Sequence, residues 1–219
     1  MYQISKHRNL RFSVSNGMKR SAILEHILYW AKKIIPRRLF TVLQPAYHYL
    51  LSFLGAFIYR FPSRKLTVIA ITGTKGKTSV AELTNAIFEE AGYKTALSST
   101  LRFKIGDHSE NNMYKMTLPG RFFLQKFLRR AVSAGCTHAI IEITSEAAKQ
   151  YRHKFLSLDA LIFTNITPEH IESHGSFEKY LAAKLSIAES LARSSKKKTI
   201  VVANTDDKEG KKFLAVGAT

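Results

Sequence analysis

One stretch decides how this chain folds: Ile69-Ala70-Ile71-Thr72-Gly73-Thr74-Lys75-Gly76-Lys77-Thr78-Ser79. It begins as an apolar run typical of a buried strand, turns at two glycines, and continues into a helical pattern. Glycines permit a tight turn whose backbone amides point inward at an anion, and the start of a helix adds the positive end of its dipole. The stretch therefore predicts a phosphate-binding loop between a strand and a helix.

The residues after the second glycine make this prediction specific. Lys77 is placed to reach the β- and γ-phosphates of a nucleotide as a point charge, and Thr78 to offer its hydroxyl to Mg²⁺. The longer form of such a loop would need glycine at position 71, which is Ile71 here. The other interpretation, a turn in which the glycines only reverse the chain, leaves the Lys-Thr pair unexplained. Nucleotide binding is assigned to Gly73, Thr74, Lys75, Gly76, Lys77, Thr78 and Ser79.

The runs on either side of the loop indicate an α/β fold. Apolar, β-branched runs typical of strands recur at Leu66–Thr72, Thr137–Thr144, Asp159–Ile166 and Thr199–Ala203. Helical patterns lie between them, at Thr78–Ala91, Arg121–Ala134 and Phe177–Arg193. Strands that alternate with helices predict a parallel sheet covered on both faces. The single cysteine, Cys136, excludes an intramolecular disulfide and suits a reduced, cytoplasmic protein.

Charge divides the chain of 219 residues into two parts. Residues 1–65 hold twelve Lys and Arg against one acid, Glu25, whereas the other 154 residues hold twenty-two against fifteen. We predict a basic and apolar helical segment at 1–65 and a nucleotide-binding domain at 66–219. A basic excess favours an anionic partner such as nucleic acid, nucleotide or phospholipid. Nucleic acid is the least favoured, because the aromatic residues of 1–65 lie in apolar helical runs rather than between basic residues.

A membrane surface is another anionic partner that the first segment could bind. Residues 39–59 carry no formal charge and are flanked by Arg37, Arg38 and Arg60. Their length matches the roughly 20 residues that span a bilayer, but Pro45 and several polar residues interrupt the run. Two interpretations are open. One is a helix attached to or inserted in an anionic membrane through residues 18–60. The other is a helical hairpin packed on the next domain.

Five further segments follow the loop in a characteristic order. They are Met116-Thr117-Leu118-Pro119-Gly120, T-H-A-I-I-E-I-T-S at 137–145, N-I-T-P-E-H-I-E-S-H-G at 165–175, Y-L-A-A-K at 180–184, and A-N-T-D-D at 203–207. Together with the short G-T-x-G-K-T loop they resemble the Mur ligases, and most closely the UDP-N-acetylmuramoyl-tripeptide synthetases. The resemblance covers about Leu66 to Asp207 and implies the parallel-sheet, ATP-binding central domain of that family.

The resemblance also implies ATP and two Mg²⁺ ions as cofactors. Glu142 would join Thr78 at one metal, and a carboxylate among isoleucines is costly to bury without such a partner. His170 and Lys184 would hold the second metal, with Lys184 carbamylated so that a cation becomes an oxygen ligand. Lys77, His170 and Lys184 are the implied catalytic residues. Alone, His170 and Lys184 would be an ordinary helix-start histidine and a surface lysine, but their spacing after this loop favours the site.

The remaining site residues follow from the same resemblance. Asn204 would contact the adenine, with Asp207 close by. Four residues would bind the muramoyl substrate: Thr117, Thr144, Ser145 and Arg152. Glu146 stands where the tripeptide synthetases usually have histidine, and Leu118 replaces a threonine, so the exact acyl substrate is left open. Residues 1–65 do not resemble the family's uridine-binding domain, and the chain ends before the domain that supplies the amino acid. We therefore expect a fragment, incomplete at its C-terminus.

The function implied by the resemblance is an ATP-dependent amide-bond ligase of peptidoglycan precursor synthesis. The γ-phosphoryl of ATP would pass to a carboxylate of a UDP-N-acetylmuramoyl dipeptide, and an amino acid would attack the resulting acyl phosphate. The expected location is the cytoplasm, or the inner face of the cytoplasmic membrane. Two alternatives stay open: a folylpolyglutamate synthetase-like ligase, and a membrane-tethered ATP-binding protein without ligase activity.

Overall fold

The computed structural model describes residues 37–114, 116–169 and 171–217. Backbone packing divides the chain into two units, Met1–Gln44 and Pro45–Thr219, and the sheet lies in the second. Residues 1–36 of the predicted basic helical segment and the candidate metal ligand His170 lie outside the described residues.

Within the described residues the chain forms seven strands and seven α-helices. The strands are β1 (Thr67–Thr72), β2 (Thr95–Ser98), β3 (Arg102–Ile105), β4 (His108–Asn111), β5 (His138–Glu142), β6 (Ala160–Phe163) and β7 (Ile200–Ala203). The helices are α1 (Arg37–Ile58), α2 (Lys77–Glu90), α3 (Arg121–Ser133), α4 (Ser145–Lys149), α5 (Ile171–His174), α6 (Phe177–Ala192) and α7 (Gly210–Gly217). A short 3-10 helix, Pro62–Lys65, precedes β1. Every strand and helix expected between residues 66 and 203 is present.

The strands form one sheet in the order β4-β3-β2-β5-β1-β6-β7. Strands β2, β5, β1, β6 and β7 run parallel, as the alternation of strands and helices predicts. The hairpin β3–β4 adds an antiparallel extension at one edge, which is not among the expected elements. The predicted α/β class, with a mainly parallel sheet, is therefore confirmed.

The central strands β1 and β5 are covered by helices on both faces. They pair in parallel register up to Ile71 opposite Glu142. Leu124 of α3 and Ile187 of α6 belong to the larger apolar core, and Ala81 of α2 belongs to a second cluster with Ile71. Because the central strands are buried on both faces, their sequences are nearly continuous apolar runs.

The carboxyl ends of three neighbouring strands converge at one edge of the sheet. The phosphate loop follows β1, Glu142 ends β5, and Thr164 follows β6. Because β5 and β6 are the two neighbours of β1, the residues that follow these strands are brought together. Open α/β sheets bind their ligands at this edge.

From Pro45 onward, helix α1 packs on the α/β domain through small and polar residues. The hydroxyl of Ser52 donates to the carbonyl oxygen of Tyr151 (2.8 Å), and Ala56 is fully buried. A Cβ on Gly55 would lie only 3.6 Å from the carbonyl group of Arg121, so the two backbones are close. This packing agrees with the interpretation of the segment as helices that pack on the next domain. Among the helices that the structure describes, none is long and apolar enough to cross a membrane.

Candidate active site

Glycine is required at the first position of the phosphate loop. Gly73 has a φ of +152°, and a Cβ there would lie 1.9 Å from Oγ1 of Thr164. Gly76 has a φ of +76°, in the left-handed region that favours glycine, and it caps the start of α2. The chain therefore turns tightly enough to bring the first amides of α2 beside the loop, and these amides have no partner within the helix.

A side chain after the neighbouring strand holds the loop in this shape. Asn165, which follows β6, accepts a hydrogen bond from the amide of Lys75 at Oδ1 (2.9 Å) and donates from Nδ2 to the carbonyl of Lys75 (3.0 Å). Its own carbonyl accepts from the amide of Thr74 (2.8 Å). Sequence reasoning missed this role, although Asn165 opens one of the quoted motifs. The three bonds fix the loop to the segment that follows β6.

Lys77 and Thr78 lie at the start of α2, as predicted. Nζ of Lys77 donates to the carbonyl oxygen of Thr74 (2.8 Å), so its side chain curls back over the loop. Burial lowers the pKa of Lys77, and the negative charges of Glu142 and Glu169 partly oppose that shift. Oγ1 of Thr78 donates to Oε2 of Glu142 (3.0 Å). The two residues predicted to bind one metal ion therefore lie side by side.

Glu142 is only 1% exposed and accepts hydrogen bonds from hydroxyl and amide donors. Besides Thr78, it accepts from the backbone amide of Thr100 (2.9 Å) and from the hydroxyl of Thr100 (3.0 Å). Thr100 is another site residue that sequence reasoning missed, because an isolated threonine after β2 carries no motif. A buried carboxylate beside a threonine hydroxyl offers the hard oxygen ligands that Mg²⁺ prefers, so these residues fit the ion.

Lys184 lies in the middle of α6, with its amine buried beneath the phosphate loop. The residue is 1% exposed, and Nζ donates to the carbonyl oxygen of Gly73 (2.6 Å). Desolvation, together with the positive charge of Lys77, lowers the pKa of Lys184 to about 7. A substantial fraction of this amine is therefore neutral at physiological pH, and only a neutral amine is a nucleophile.

Tyr180, one helical turn before Lys184, links that lysine to the loop. Nζ of Lys184 lies 4.8 Å from the centroid of the Tyr180 ring, and the Tyr180 hydroxyl is 2.9 Å from Oγ1 of Thr74. Oγ1 of Thr74 also accepts from the amide of Thr167 (3.0 Å). Spacing in the Y-L-A-A-K motif places both side chains on one face of α6, which is the signal that could have identified Tyr180.

His174 occupies the side of the site where a second metal is expected. It is buried, with Nε2 3.1 Å from the hydroxyl of Ser145 and 3.2 Å from a carboxylate oxygen of Glu146. Its ring meets that of Tyr180 edge-on. Within the described residues no three His, Cys, Asp or Glu side chains are grouped as metal ligands. The expected second ligand set depends on His170, which lies outside those residues, and on Lys184.

A cleft of about 420 Å³ opens beside the loop and brings half of the predicted site residues together. Its lining includes the four predicted substrate residues Thr117, Thr144, Ser145 and Arg152, together with Gly73, Thr74, Lys77 and Lys184. Arg152 donates to the carbonyl of Leu118 and to Oε1 of Gln150, and burial lowers its pKa. Oγ1 of Thr117 is 2.8 Å from Oγ1 of Thr100, and thus one residue away from Glu142.

Six of the nine predicted nucleotide residues lie outside the lining of this cleft: Lys75, Gly76, Thr78, Ser79, Asn204 and Asp207. Ser79 is exposed in the first turn of α2, and Asn204 is exposed after β7. Asp207 accepts from the amide of Ile166 at Oδ2 (2.6 Å) and from the amide of Glu209 at Oδ1 (2.9 Å). Asp207 therefore ties the segment after β7 to the segment after β6, next to the loop that Asn165 holds.

Known proteins are similar in sequence to the part of the chain that forms this site. Residues 71–218 match the family described as the Mur ligase middle domain. The chain is 36% identical over 169 residues to a UDP-N-acetylmuramyl-tripeptide synthetase of Roseiflexus sp. (strain RS-1), covering 74% of this chain and 33% of that protein. It is also 36% identical over 164 residues to a UDP-N-acetylmuramoyl-L-alanyl-D-glutamate--2,6-diaminopimelate ligase of Cytophaga hutchinsonii, covering 75% of this chain and 32% of that protein.

Solved structures have the same fold at lower sequence identity. A UDP-N-acetylmuramoyl-L-alanyl-D-glutamate--2,6-diaminopimelate ligase matches with a TM-score of 0.63 at 23% identity, over 76% of this chain and 33% of that one. Escherichia coli FolC, solved with DHPP and ADP, matches with a TM-score of 0.54 at 17% identity, over 76% of this chain and 44% of that one. The chain spans about a third of the length of the curated relatives it matches. From the family match and these relatives, the chain belongs to the Mur ligase family.

Proposed function

We propose that this chain is the ATP-binding part of a ligase that joins an amino acid to a UDP-N-acetylmuramoyl dipeptide. One observation carries the proposal: Lys77 lines the same cleft as Arg152 and Lys184, and Thr78, the next residue, donates a hydrogen bond to Glu142. Nucleotide-phosphate groups and a carboxylate substrate therefore have adjoining sites. The substrate class is that for which the two relatives at 36% identity are named.

The reaction proceeds through two displacements. A carboxylate oxygen of the muramoyl peptide attacks the γ-phosphorus of ATP, and the bond to the bridging oxygen of ADP breaks. The amine of the incoming amino acid then attacks the acyl phosphate carbonyl, phosphate leaves, and the nitrogen loses a proton as the amide forms. Lys77 and the first amides of α2 stabilise the charge on the transferring phosphoryl group. Mg²⁺ held by Thr78 and Glu142 would neutralise the phosphate oxygens.

Lys184 has the environment that carbamylation needs. Its amine is buried, and its pKa is lowered to about 7, so the neutral form is available to attack carbon dioxide. In that step the neutral nitrogen bonds to the carbon of carbon dioxide and loses one proton, so that the neutral amine becomes a carbamate anion. The carbamate would replace the hydrogen-bond donor now directed at Gly73 with oxygen ligands beside the loop. His170 is the proposed partner at that second metal.

The substrate carboxylate requires a positive group on the far side of the cleft from the loop. Arg152 lies there with a half-buried guanidinium, next to the carbonyl of Leu118. The hydroxyls of Thr117 and Ser145 line the same wall and can orient the acyl group. We therefore assign Arg152, Thr117, Thr144 and Ser145 to the muramoyl peptide, and Asn204 and Asp207 to the adenine side.

The alternative of a folylpolyglutamate synthetase-like ligase has only the shared fold behind it. Among solved structures its neighbours match at 15–17% identity, whereas a muramoyl ligase matches at 23%. The muramoyl ligases found by sequence match at 31–37%. Both the nucleotide and the UDP-linked substrate are cytoplasmic compounds, which places the proposed reaction in the cytoplasm.

The proposed function is tested by ADP release from the native, full-length protein. We expect release that requires both a UDP-N-acetylmuramoyl dipeptide and an amino acid, with a new amide product identified by mass spectrometry. Replacing the muramoyl dipeptide with a tetrahydrofolate should abolish the release. ADP release that depends on the folate would instead support the alternative ligase, and release that depends on neither acceptor would contradict both.

A further inference from the structure

Helix α1 exposes the side chains that a packed helix normally buries. From Pro45 onward it turns Ser52, Gly55 and Ala56 toward the domain. Its large apolar residues face solvent instead, at Leu50, Phe53, Leu54, Phe57 and Ile58. These positions follow the spacing i, i+3, i+4, i+7 and i+8, so they form one continuous stripe along the helix. We call these five residues the exposed stripe.

Aromatic rings extend the exposed stripe onto the domain. Phe53 stacks on Phe57, with ring centroids 6.1 Å apart, and meets Phe155 at 5.4 Å. Phe155 also meets Tyr49 at 4.9 Å. The apolar surface is therefore not a single helix edge but a continuous patch shared with the loop that contains Phe155. An apolar patch of this kind on a folded domain marks a contact surface.

The charge around the stripe is mainly positive, although Glu110 lies near Arg130 and Glu189 near Lys154. Residues 26–81 contain no Asp or Glu, and Arg60, Arg64 and Lys65 are exposed just beyond the helix end. The two segments that pack against α1 are residues 121–133 and 147–158. They also lack acids, and they contribute seven cations: Arg121, Lys126, Arg129, Arg130, Lys149, Arg152 and Lys154.

We propose that the exposed stripe and its basic surroundings dock this protein on an anionic phospholipid surface. An amphipathic helix with aromatic and aliphatic residues on one side and a border of mainly cations is suited to lie in the headgroup region. A second copy of the chain fits less well, because a two-fold contact would place cations against cations. A protein partner would ordinarily meet a border with both charge signs.

The chain contains a matched control for the stripe. Helix α2 exposes Leu83 and Ile87 by 64% and 68%, close to the 61% and 58% of Phe57 and Ile58. The surroundings of the α2 pair differ in sign, because Glu82, Glu89 and Glu90 lie on the same helix. The exposure of these two side chains thus matches that of Phe57 and Ile58, whereas the sign of the charge around them differs.

The experiment is flotation of the full chain with phosphatidylcholine vesicles, with and without phosphatidylglycerol. We expect binding only to the anionic vesicles, reduced by high salt and lowered about tenfold or more by the double variant Phe57→Glu/Ile58→Glu. The matched double variant Leu83→Glu/Ile87→Glu should bind as the wild type does. No binding to anionic vesicles, or an equal loss in both variants, would overturn the proposal. A dimer that only the first variant dissociates would assign the stripe to a second copy.

A labelling measurement keeps the test independent of variants that fold poorly. The native cysteine is buried, so an environment-sensitive dye attaches to an introduced thiol. A dye at Phe57→Cys should shift to shorter wavelength on anionic vesicles, whereas a dye at Ile87→Cys should not. A dye at position 57 that is already blue-shifted in the free monomer would mean that another part of the chain covers the stripe, and the proposal would be wrong.

Discussion

Nζ of Lys184 donates a hydrogen bond to the carbonyl oxygen of Gly73 over 2.6 Å, and both groups are buried. This contact connects the middle of α6 to the first residue of the phosphate loop, 111 positions earlier. It also places a lysine amine where desolvation opposes its charge. The Lys184 amine therefore has two roles. It supports the loop through this hydrogen bond, and it is the group suited to modification.

The first prediction concerns the pH dependence of that lysine. Its pKa falls from 10.5 to about 7 on folding, so below pH 7 both folded and unfolded chains bind the proton and the cost of burying the charge is complete. Between about 7 and 10.5 the folded chain releases the proton first, and the free energy of unfolding rises, by at most about 1.4 kcal/mol per pH unit. Lys184→Met, which has no charge to bury, should lack this rise.

Urea unfolding in carbon-dioxide-free buffer at several pH values measures the effect. The stability advantage of Lys184→Met should be greatest below pH 7 and shrink above it. Lys75→Met serves as the control, because Lys75 is exposed and pairs with Glu169 at the surface. An advantage of Lys184→Met that stays constant from pH 6 to 10 would be inconsistent with the lowered pKa.

The second prediction concerns the two lysines of the loop. Lys77 curls over the loop onto the Thr74 carbonyl, whereas Lys75 points away to Glu169. Mg-ATP at about 100 times its Kd should stabilise the wild type by about 2.7 kcal/mol. We expect Lys77→Ala to abolish this protection and Lys75→Ala to retain most of it. Thermal unfolding with and without Mg-ATP measures both, and protection that survives Lys77→Ala would contradict the phosphate-loop assignment.

The third prediction isolates the charge of Glu142. Glu142→Gln keeps the shape and one acceptor oxygen toward Thr78 and Thr100, but removes the charge that a metal ion needs. ATP protection in this variant should lose its dependence on Mg²⁺, with activity falling about 100-fold or more. Glu146→Gln, at a carboxylate that lines the cleft, is the control and should keep the Mg²⁺ dependence. Calorimetric titration of Mg²⁺ in the presence of ATP distinguishes the two.

Sequence was sufficient for the central part of the fold because its signals are local. The strands β1, β5, β6 and β7 come from apolar runs, and the helices α2, α3 and α6 from their periodicity. The hairpin β3–β4 was missed because its residues are half exposed and largely polar at a sheet edge. An edge strand of that kind carries neither a continuous apolar run nor a clean alternation.

The site residues also fall into two groups, those that a local motif predicts and those that only the strand order brings together. Lys77 and Thr78 are fixed by a contiguous motif, so their position at the helix start follows directly from the sequence. Thr100 donates hydrogen bonds to Glu142 only because β2 and β5 are neighbours in the sheet. No local sequence spacing reveals this long-range contact. Asn165 is similar, since its bonds to Lys75 depend on β6 lying beside β1. Such partners become visible only when the strand order is known.

The fourth prediction separates steric from conformational need for glycine in the loop. A Cβ at Gly76 would meet nothing within 4 Å, so Gly76→Ala should cost only the strain of its positive φ, about 1–2 kcal/mol. A Cβ at Gly73 would collide with Oγ1 of Thr164 at 1.9 Å and approach the backbone of Asn165 at 3.0 Å. Gly73→Ala should therefore cost more in unfolding free energy and also displace the loop.

A double-mutant cycle with Thr164→Ala tests the collision itself. Removing the hydroxyl eliminates the 1.9 Å contact but leaves the approach to Asn165, so the cost of Gly73→Ala should fall without vanishing. Thr164→Ala should leave the cost of Gly76→Ala unchanged, because that position touches no part of the Thr164 side chain. Urea unfolding of the six chains gives these differences. Equal costs at Gly73 in both backgrounds would mean that the backbone of Asn165, rather than Thr164, sets the space for the loop.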